Sequence, residues 1–421
     1  MRRAVVVTVD GLRADMISPE TTPRINSFQH ESERLEGYRT IFPSCTRVVS
    51  ASLATGCFPA RHGLQGNSVA LLEHGELVQR DAGHPDFLQH KRRITGRSLA
   101  VPTLAERLRD HGGAIIFSNV SPGAAYAHDP DGHGHVYHRA GSFGPGRVPI
   151  EASDHLDVTL DASGDRRMTE RFEEVVSRRR PALAVLWLGE PDHIQHEMPL
   201  GSPEHRAVLA EADAHVGLVI DAVARSRAAG DDVLLFVGSD HGHQTVTGVI
   251  DVEAELISAG LKAGPASGDV VAASNGTSVL IYLHPDHGER EASIRTFLDT
   301  RDWAGQVFGT DQLAAIGQAP EACLAFAVSM RASPEPNAFG IPGGSLVAKP
   351  AQGKPDRLGC GQHGGLGQYE QMPFMMISGT GFARGAVRDT PTCVVDIAPT
   401  ILAHFDLPWS GVDGRPLQAL R

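Results

Sequence analysis

Four short segments bring carboxylates and imidazoles together at spacings that could hold a divalent cation. In Asp192-His193-Ile194-Gln195-His196, an Asp and a His four residues apart converge on one face if the chain turns helically there. Ser239-Asp240-His241-Gly242 sets an Asp beside a His on a turn that Gly permits, where buried charge would be costly without a cation. Asp10-Gly11 and Gln362-His363-Gly364-Gly365 complete the set. Each is common alone, and Asp192 by itself reads equally well as a solvated helix start. Four of them, three with Gly alongside, are harder to explain as separate accidents. A nucleophile candidate lies in Pro43-Ser44-Cys45-Thr46-Arg47-Val48-Val49. A hydroxyl at a helix N-terminus and bound to a dication ionises near neutral pH and can attack phosphorus. The blander alternative makes Thr46 or Ser44 the N-cap of a Val48–Ala54 helix.

Such clusters act together only if the chain's elements end at one place. Short apolar runs stop abruptly in polar residues: Val5–Val9 before Asp10, Ala114–Phe117 before Ser118, Leu183–Leu188 before Glu190, and Val233–Val237 before Ser239-Asp240. Continuous runs of this length suit strands buried on both faces, and ligands sit at the carboxyl ends of such strands. Helical periods lie between them, over Val101–His111 and over 203–229, where Leu209, Ala212, Val216, Val219 and Val223 recur every three or four residues. The alternation predicts an α/β fold with a mostly parallel central sheet flanked by helices. Residues 119–165, rich in Gly, His, Pro and Asp, read as a long irregular loop. Residues 246–354, with a β run at Ser278–Leu283 and several Pro/Gly turns, read as an inserted cap or lid subdomain. The catalytic core is then 1–245 with 355–421.

The chain has 421 residues, enough at roughly 100–200 residues per domain for a large α/β domain carrying insertions. Its composition, 41% hydrophobic and 21% charged, excludes coiled-coil, collagenous and wholly disordered chains. The net charge of −12 offers no global field for nucleic acid or an anionic membrane, so an anionic ligand needs a local site. The 21 histidines raise the expectation of metal chemistry. Five cysteines without CxxC spacing argue against a disulfide framework and a Cys-based zinc ribbon. Met1-Arg2-Arg3 runs straight into an apolar strand, too short for a secretory leader. No apolar stretch approaches the ~18–20 residues of a membrane span. The expectation is a cytoplasmic protein with a small-molecule substrate, no nucleic-acid or membrane partner, and an oligomeric state left open.

Taken in order, these clusters resemble the alkaline phosphatase superfamily, in its branch of nucleotide pyrophosphatase/phosphodiesterases and phosphonoacetate hydrolases. The resemblance covers roughly residues 1–245 and 355–421 and implies an alkaline phosphatase-like core. It also implies two zinc ions, with manganese as the alternative occupant. One would be held by Asp192, His196 and His363, the other by Asp10, Asp240 and His241, with Thr46 reaching toward the latter. Asn67, in His62-Gly63-Leu64-Gln65-Gly66-Asn67, falls where the family places an Asn donating to a nonbridging phosphoryl oxygen. The implied reaction is phosphoester hydrolysis by in-line displacement through a covalent phospho-threonine.

Within the superfamily, Thr46 stands where sulfatases have Cys or Ser, and Val48 and Val49 replace the expected Pro and Ser, disfavouring a sulfatase. Cys45 then reads as a small buried residue. Ser118-Asn119-Val120-Ser121-Pro122-Gly123 lacks the lysines that grip the carboxylate in phosphonoacetate hydrolases, unless Arg47, Arg61 or Lys354 serves instead. A phosphodiesterase reading leads, with a C–P bond hydrolase second. An inert metal-stabilised binding module would not need Thr46, and a phosphoglycerate mutase-like isomerase would use Ser and manganese. His128, His133, His135 and His138 are expected to face solvent, as are Glu211 and Asp213, and His243 is expected to orient a metal ligand, while Arg47 and Arg61 are candidates for bidentate phosphate binding, with a structural ion pair the equal alternative for Arg61.

Overall fold

A computed structural model describes residues 1–351 and 353–418. Residue 352 of the expected 246–354 insertion and residues 419–421 of the last core segment lie outside the described residues. The central sheet is built on β1 (Arg2–Val9), β2 (Ala114–Ser118), β3 (Leu183–Leu188), β4 (Asp232–Gly238) and β5 (Met375–Ser378). They lie in the order β5-β4-β1-β3-β2 within a sheet of ten strands. β4, β1, β3 and β2 pair in parallel, and β5 is antiparallel to β4.

Side chains of these strands alternate between two buried faces, which is why the strands are apolar through most of their length, with polar residues such as Arg2, Ser118 and Asp232 at their ends. Ala4, Val6, Ile116, Val185, Trp187, Leu234 and Phe236 pack into one core layer with Val48, Val49, Ala51 and Leu53 of α1 (Thr46–Thr55). Val5, Val7, Phe117, Leu186, Leu235 and Val237 face the other layer. That layer is supplied by Phe172 and Val175 of α2 (Ala162–Arg179) and by Leu209, Val216 and Val223 of a long helix, Pro203–Ala228. A one-turn helix, α3 (Asp192–Gln195), lies just past the end of β3, and the Pro203–Ala228 helix that follows it is α4.

Two expectations need correction. The stretch 119–165 is not without structure: it carries a helix at Pro122–Ala127 and three short strands, His135–Tyr137, Phe143–Gly144 and Val148–Pro149, that extend the sheet beyond β2. These elements are too short for a sequence period, and Asp129 shapes the turn before the first strand by accepting from the backbone N–H groups of Gly132, His133 and Gly134. The solvent-facing assignments also fail at three positions. His128 and His138 are buried, and buried Asp213 accepts from the N–H groups of Arg24 and Ile25, the first turn of the Pro23–Phe28 helix.

Within 246–354, Val270–Ser274, Ser278–Leu283, Leu324–Met330 and Ala304–Gly309 form a separate four-stranded antiparallel sheet in that order. One face, with Val279, Ile281 and Val328, packs on Ile294 and Leu298 of a covering helix, Glu291–Asp299. The other, with Leu280, Tyr282 and Ala327, joins the main core. No described helix is long and apolar enough to cross a membrane.

Candidate active site

The carboxyl ends of β1, β3 and β4 deliver Asp10, the Asp192–His196 turn and Asp240-His241 to one place, as register between parallel neighbours requires. Gly11 lets the chain leave β1 sharply: its φ is +71°, and a Cβ there would stand 2.7 Å from His243 Nε2. α1 enters from the opposite face with Thr46 as its first residue.

The capping alternative for Thr46 is not what the structure contains. The N-cap is Cys45, which makes no side-chain cap bond, and Ser44 Oγ bonds Gly365 O and Glu370 Oε2 while accepting from Gly364 N. Thr46 Oγ1 instead lies 3.1 Å from His241 Nε2. That nitrogen is also 3.1 Å from Asp240 Oδ2 and 3.4 Å from Asp10 Oδ1. His241 Nδ1 donates to Gly242 O, which leaves Nε2 a lone pair. Electron-rich atoms therefore face one another with the Thr46 proton as the single donor between them.

The second cluster is arranged alike. His196 Nε2 and His363 Nε2 each lie 3.5 Å from Asp192 Oδ1. Their Nδ1 atoms donate to backbone carbonyls, Gly361 O at 3.0 Å and Ser44 O at 2.6 Å. Such outer bonds fix the tautomer in which Nε2 can bind a cation. The rings of His241 and His363 stack at 3.6 Å, so the two clusters adjoin. All seven residues expected as metal ligands are thus brought together.

Electrostatics points the same way. Burial, and then the charges of Asp240 and Asp192, push the Asp10 carboxyl well above its usual range, and burial raises Asp240 as well. Burial opposes ionisation of Asp192, but His196, His243 and His363 outweigh it and hold that carboxyl well below the usual range. Burial lowers His196 to about 4. Asp10 Oδ1 and Asp240 Oδ2 are buried without hydrogen-bond partners among the described residues. Two orphaned carboxylate oxygens among imidazole lone pairs are a donor set that zinc or manganese satisfies. Asp10, Asp240 and His241, and separately Asp192, His241, His243 and His363, offer ligand atoms within 4.8 Å of one another.

Several supporting residues carry weak sequence signals. Trp187 Nε1 donates to Asp10 Oδ2 at 2.9 Å, from a position that reads as plain strand core. His243 Nε2 bonds Asp192 Oδ1 at 2.8 Å, in keeping with the orienting part expected of it. Buried Glu370 accepts from Ser44, Thr277, Gly365 and Gly367 and so shapes the loop bearing His363.

Beside Thr46 opens a cavity of about 440 Å³, lined by Cys45, Arg47, Asn67, His196, His363 and residues of the 347–357 stretch. Asn67 Oδ1 has no hydrogen-bond partner among the described residues, while its backbone N–H is held by Asn275 Oδ1 at 2.6 Å. Cys45 is buried there, and burial pushes its thiol up. Two arginines from elsewhere in the chain reach the 118–124 stretch. Arg47 Nε donates to Ser121 Oγ at 3.0 Å, and Arg139 bonds the Asn119 and Val120 carbonyls. Arg61 turns away to pair with Asp413.

Comparisons with known proteins give the family and the fold. The family model for type I phosphodiesterase/nucleotide pyrophosphatase matches residues 4–301. An uncharacterized pyrophosphatase/phosphodiesterase of Schizosaccharomyces pombe is 21% identical over 238 residues, 56% of this chain and 44% of the relative. The chain therefore matches less than half the length of that curated relative. Murine ectonucleotide pyrophosphatase/phosphodiesterase 5, solved as an inactive threonine-to-alanine variant with AMP, superposes with a TM-score of 0.69 at 17% identity, covering 98% of this chain and 97% of that one. Phosphonoacetate hydrolase from Sinorhizobium meliloti 1021, in complex with phosphonoformate, has a TM-score of 0.69 at 16% identity, covering 96% and 95%. With the family model spanning well over half its length, the chain belongs to the type I phosphodiesterase/nucleotide pyrophosphatase family, within the alkaline phosphatase superfamily.

Proposed function

We propose that the protein is a two-metal phosphoester hydrolase that cleaves small-molecule phosphodiesters with Thr46 as nucleophile. The observation that carries this is the Thr46 hydroxyl, first in its helix and 3.1 Å from His241, facing the orphaned oxygens of Asp10 and Asp240 rather than capping α1. Zinc or manganese held by Asp192, His196 and His363, and by Asp10, Thr46, Asp240 and His241, would supply Lewis acidity that lowers the hydroxyl pKa and neutralises phosphoryl oxygens. Thr46 Oγ1 forms the new bond to phosphorus as the ester oxygen leaves opposite it, giving phospho-threonine, and water then cleaves that ester and returns the proton to Thr46. Asn67 donates to a nonbridging oxygen, and the 246–354 segment caps the cleft. The five free cysteines fit a reducing, cytoplasmic setting.

C–P bond hydrolysis is the second reading, favoured by Arg47 beside Ser121, where a substrate carboxylate could be met. The test is hydrolysis by zinc-loaded protein of an aryl phosphodiester, an aryl phosphomonoester, an aryl phosphonate ester and phosphonoacetate, with Thr46→Ala as blank. Preference for the diester or phosphonate ester supports the proposal. Preference for phosphonoacetate selects the second reading, and Thr46→Ala turning over like the parent refutes the nucleophile.

A further inference from the structure

The cavity beside Thr46 holds three cations in unequal states. Arg47 and Lys354 share one carboxylate, Asp81, at 3.5 and 3.1 Å. Among the described residues Arg357 makes no ion pair, although Asp356 shares the lining, and its buried Nη1 has no hydrogen-bond partner. Leaving a guanidinium nitrogen so costs free energy that an anion would recover through paired, charge-assisted bonds. Arg357 also adopts a φ of +57°, a left-handed conformation uncommon for a long side chain. Its charge is felt at His196, so it lies close to the expected metal ligands. No Phe, Tyr or Trp among the described residues lines this cavity. A stacking platform for a nucleobase is therefore missing from it, while the three cations outnumber the lining carboxylates of Asp81 and Asp356. Arg357 and Lys354 lie beyond the stretch matched by the family model.

Resting on the hydrolase reading above, we propose that Arg357 forms an anion subsite that selects substrates whose non-reacting substituent carries a second anionic group, a carboxylate or a phosphate. Arg47 and Lys354, tied through Asp81, form its wall and keep the field there positive. A planar guanidinium meets either anion through two parallel N–H donors, which an ammonium cannot do.

Three diesters sharing the p-nitrophenolate leaving group separate the arms: p-nitrophenyl methyl phosphate, p-nitrophenyl carboxymethyl phosphate and p-nitrophenyl 2-phosphoethyl phosphate. The parent protein is expected to favour one charged diester over the methyl one by about tenfold or more in kcat/KM. Whichever it favours identifies carboxylate or phosphate as the recognised group. Arg357→Gln brings the ratio close to one through a rise in KM for the charged diester, and Arg357→Lys restores part of it. Equal use of all three by the parent, or a preference that survives Arg357→Gln, overturns the subsite. Failure to hydrolyse any of the three refutes the phosphodiesterase reading instead. The subsite is then judged by calorimetric titration of zinc-loaded Thr46→Ala protein with phosphonoacetate and with methylphosphonate. Tighter binding of phosphonoacetate that is lost on adding Arg357→Gln sustains it, and equal affinities overturn it.

Discussion

At Thr46 the decisive fact is which atom its hydroxyl meets, because a capping threonine would bond its own helix. Replacing it by Ala removes the attacking oxygen but only one of the oxygens facing His241. Turnover should fall about a thousandfold or more, while zinc content measured by elemental analysis stays close to the parent's. His243 gives a second test. Its Nε2 holds Asp192 at 2.8 Å, so His243→Leu should weaken zinc binding about 10–100-fold in a chelator-competition titration, with His243→Gln recovering part. Most of this site was legible in the sequence, since Asp10, Asp192, His196, Asp240, His241 and His363 advertise themselves by type and neighbours. Trp187, Glu370 and Arg357 were not, because a strand Trp, a loop Glu and a surface-like Arg look ordinary until packing gives them partners or denies them.

Elements place these residues by ending where they do. β1, β3 and β4 are apolar through most of their length because both faces are covered, and Asp10, Asp192 and Asp240 follow shortly past their carboxyl ends. Leu186 points into the α2/α4 layer, away from the site. Leu186→Ala should cost about 2–5 kcal/mol in urea unfolding without changing zinc stoichiometry. Gly11→Ala is different in kind. Its Cβ would press on His243 and strain a φ of +71°, so a loss of about 1–3 kcal/mol should come with weaker zinc binding. β1 to β4, α1 and α4 were readable from period and punctuation, whereas α2 and β5 drew no expectation from the sequence. The short strands of 135–149 were not, since two or three residues carry no period and they are held by pairing onto the edge of the sheet.

Across the whole molecule, a share of the 21 histidines is buried and neutral rather than metal-facing. Burial lowers His62 to about 3 and His128, His138 and His205 to about 4, from an ordinary 6.5. These imidazoles take up protons in the unfolded chain before they do so in the native one. Stability should therefore be full above pH about 6.5 and fall as pH drops toward 4. His62 isolates the effect: its Nδ1 accepts from Leu64 N, and its Nε2 donates to Ser52 Oγ. His62→Gln should reduce the slope of Tm against pH between 6.5 and 4.5, and an unchanged slope would show that His62 is not a neutral buried group. Histidine count alone could not divide structural from metal-facing rings, because only tertiary packing decides which Nε2 atoms meet carboxylates.

The central claim is that one molecule carries two adjoining cation sites built on Asp192 and Asp240. Elemental analysis of metal bound per chain, on zinc-loaded and dialysed protein, tests it most directly. Two zinc per chain are expected in the parent and close to one in Asp192→Asn and in Asp240→Asn alike. A parent binding one zinc or none, or either variant retaining both, would contradict it.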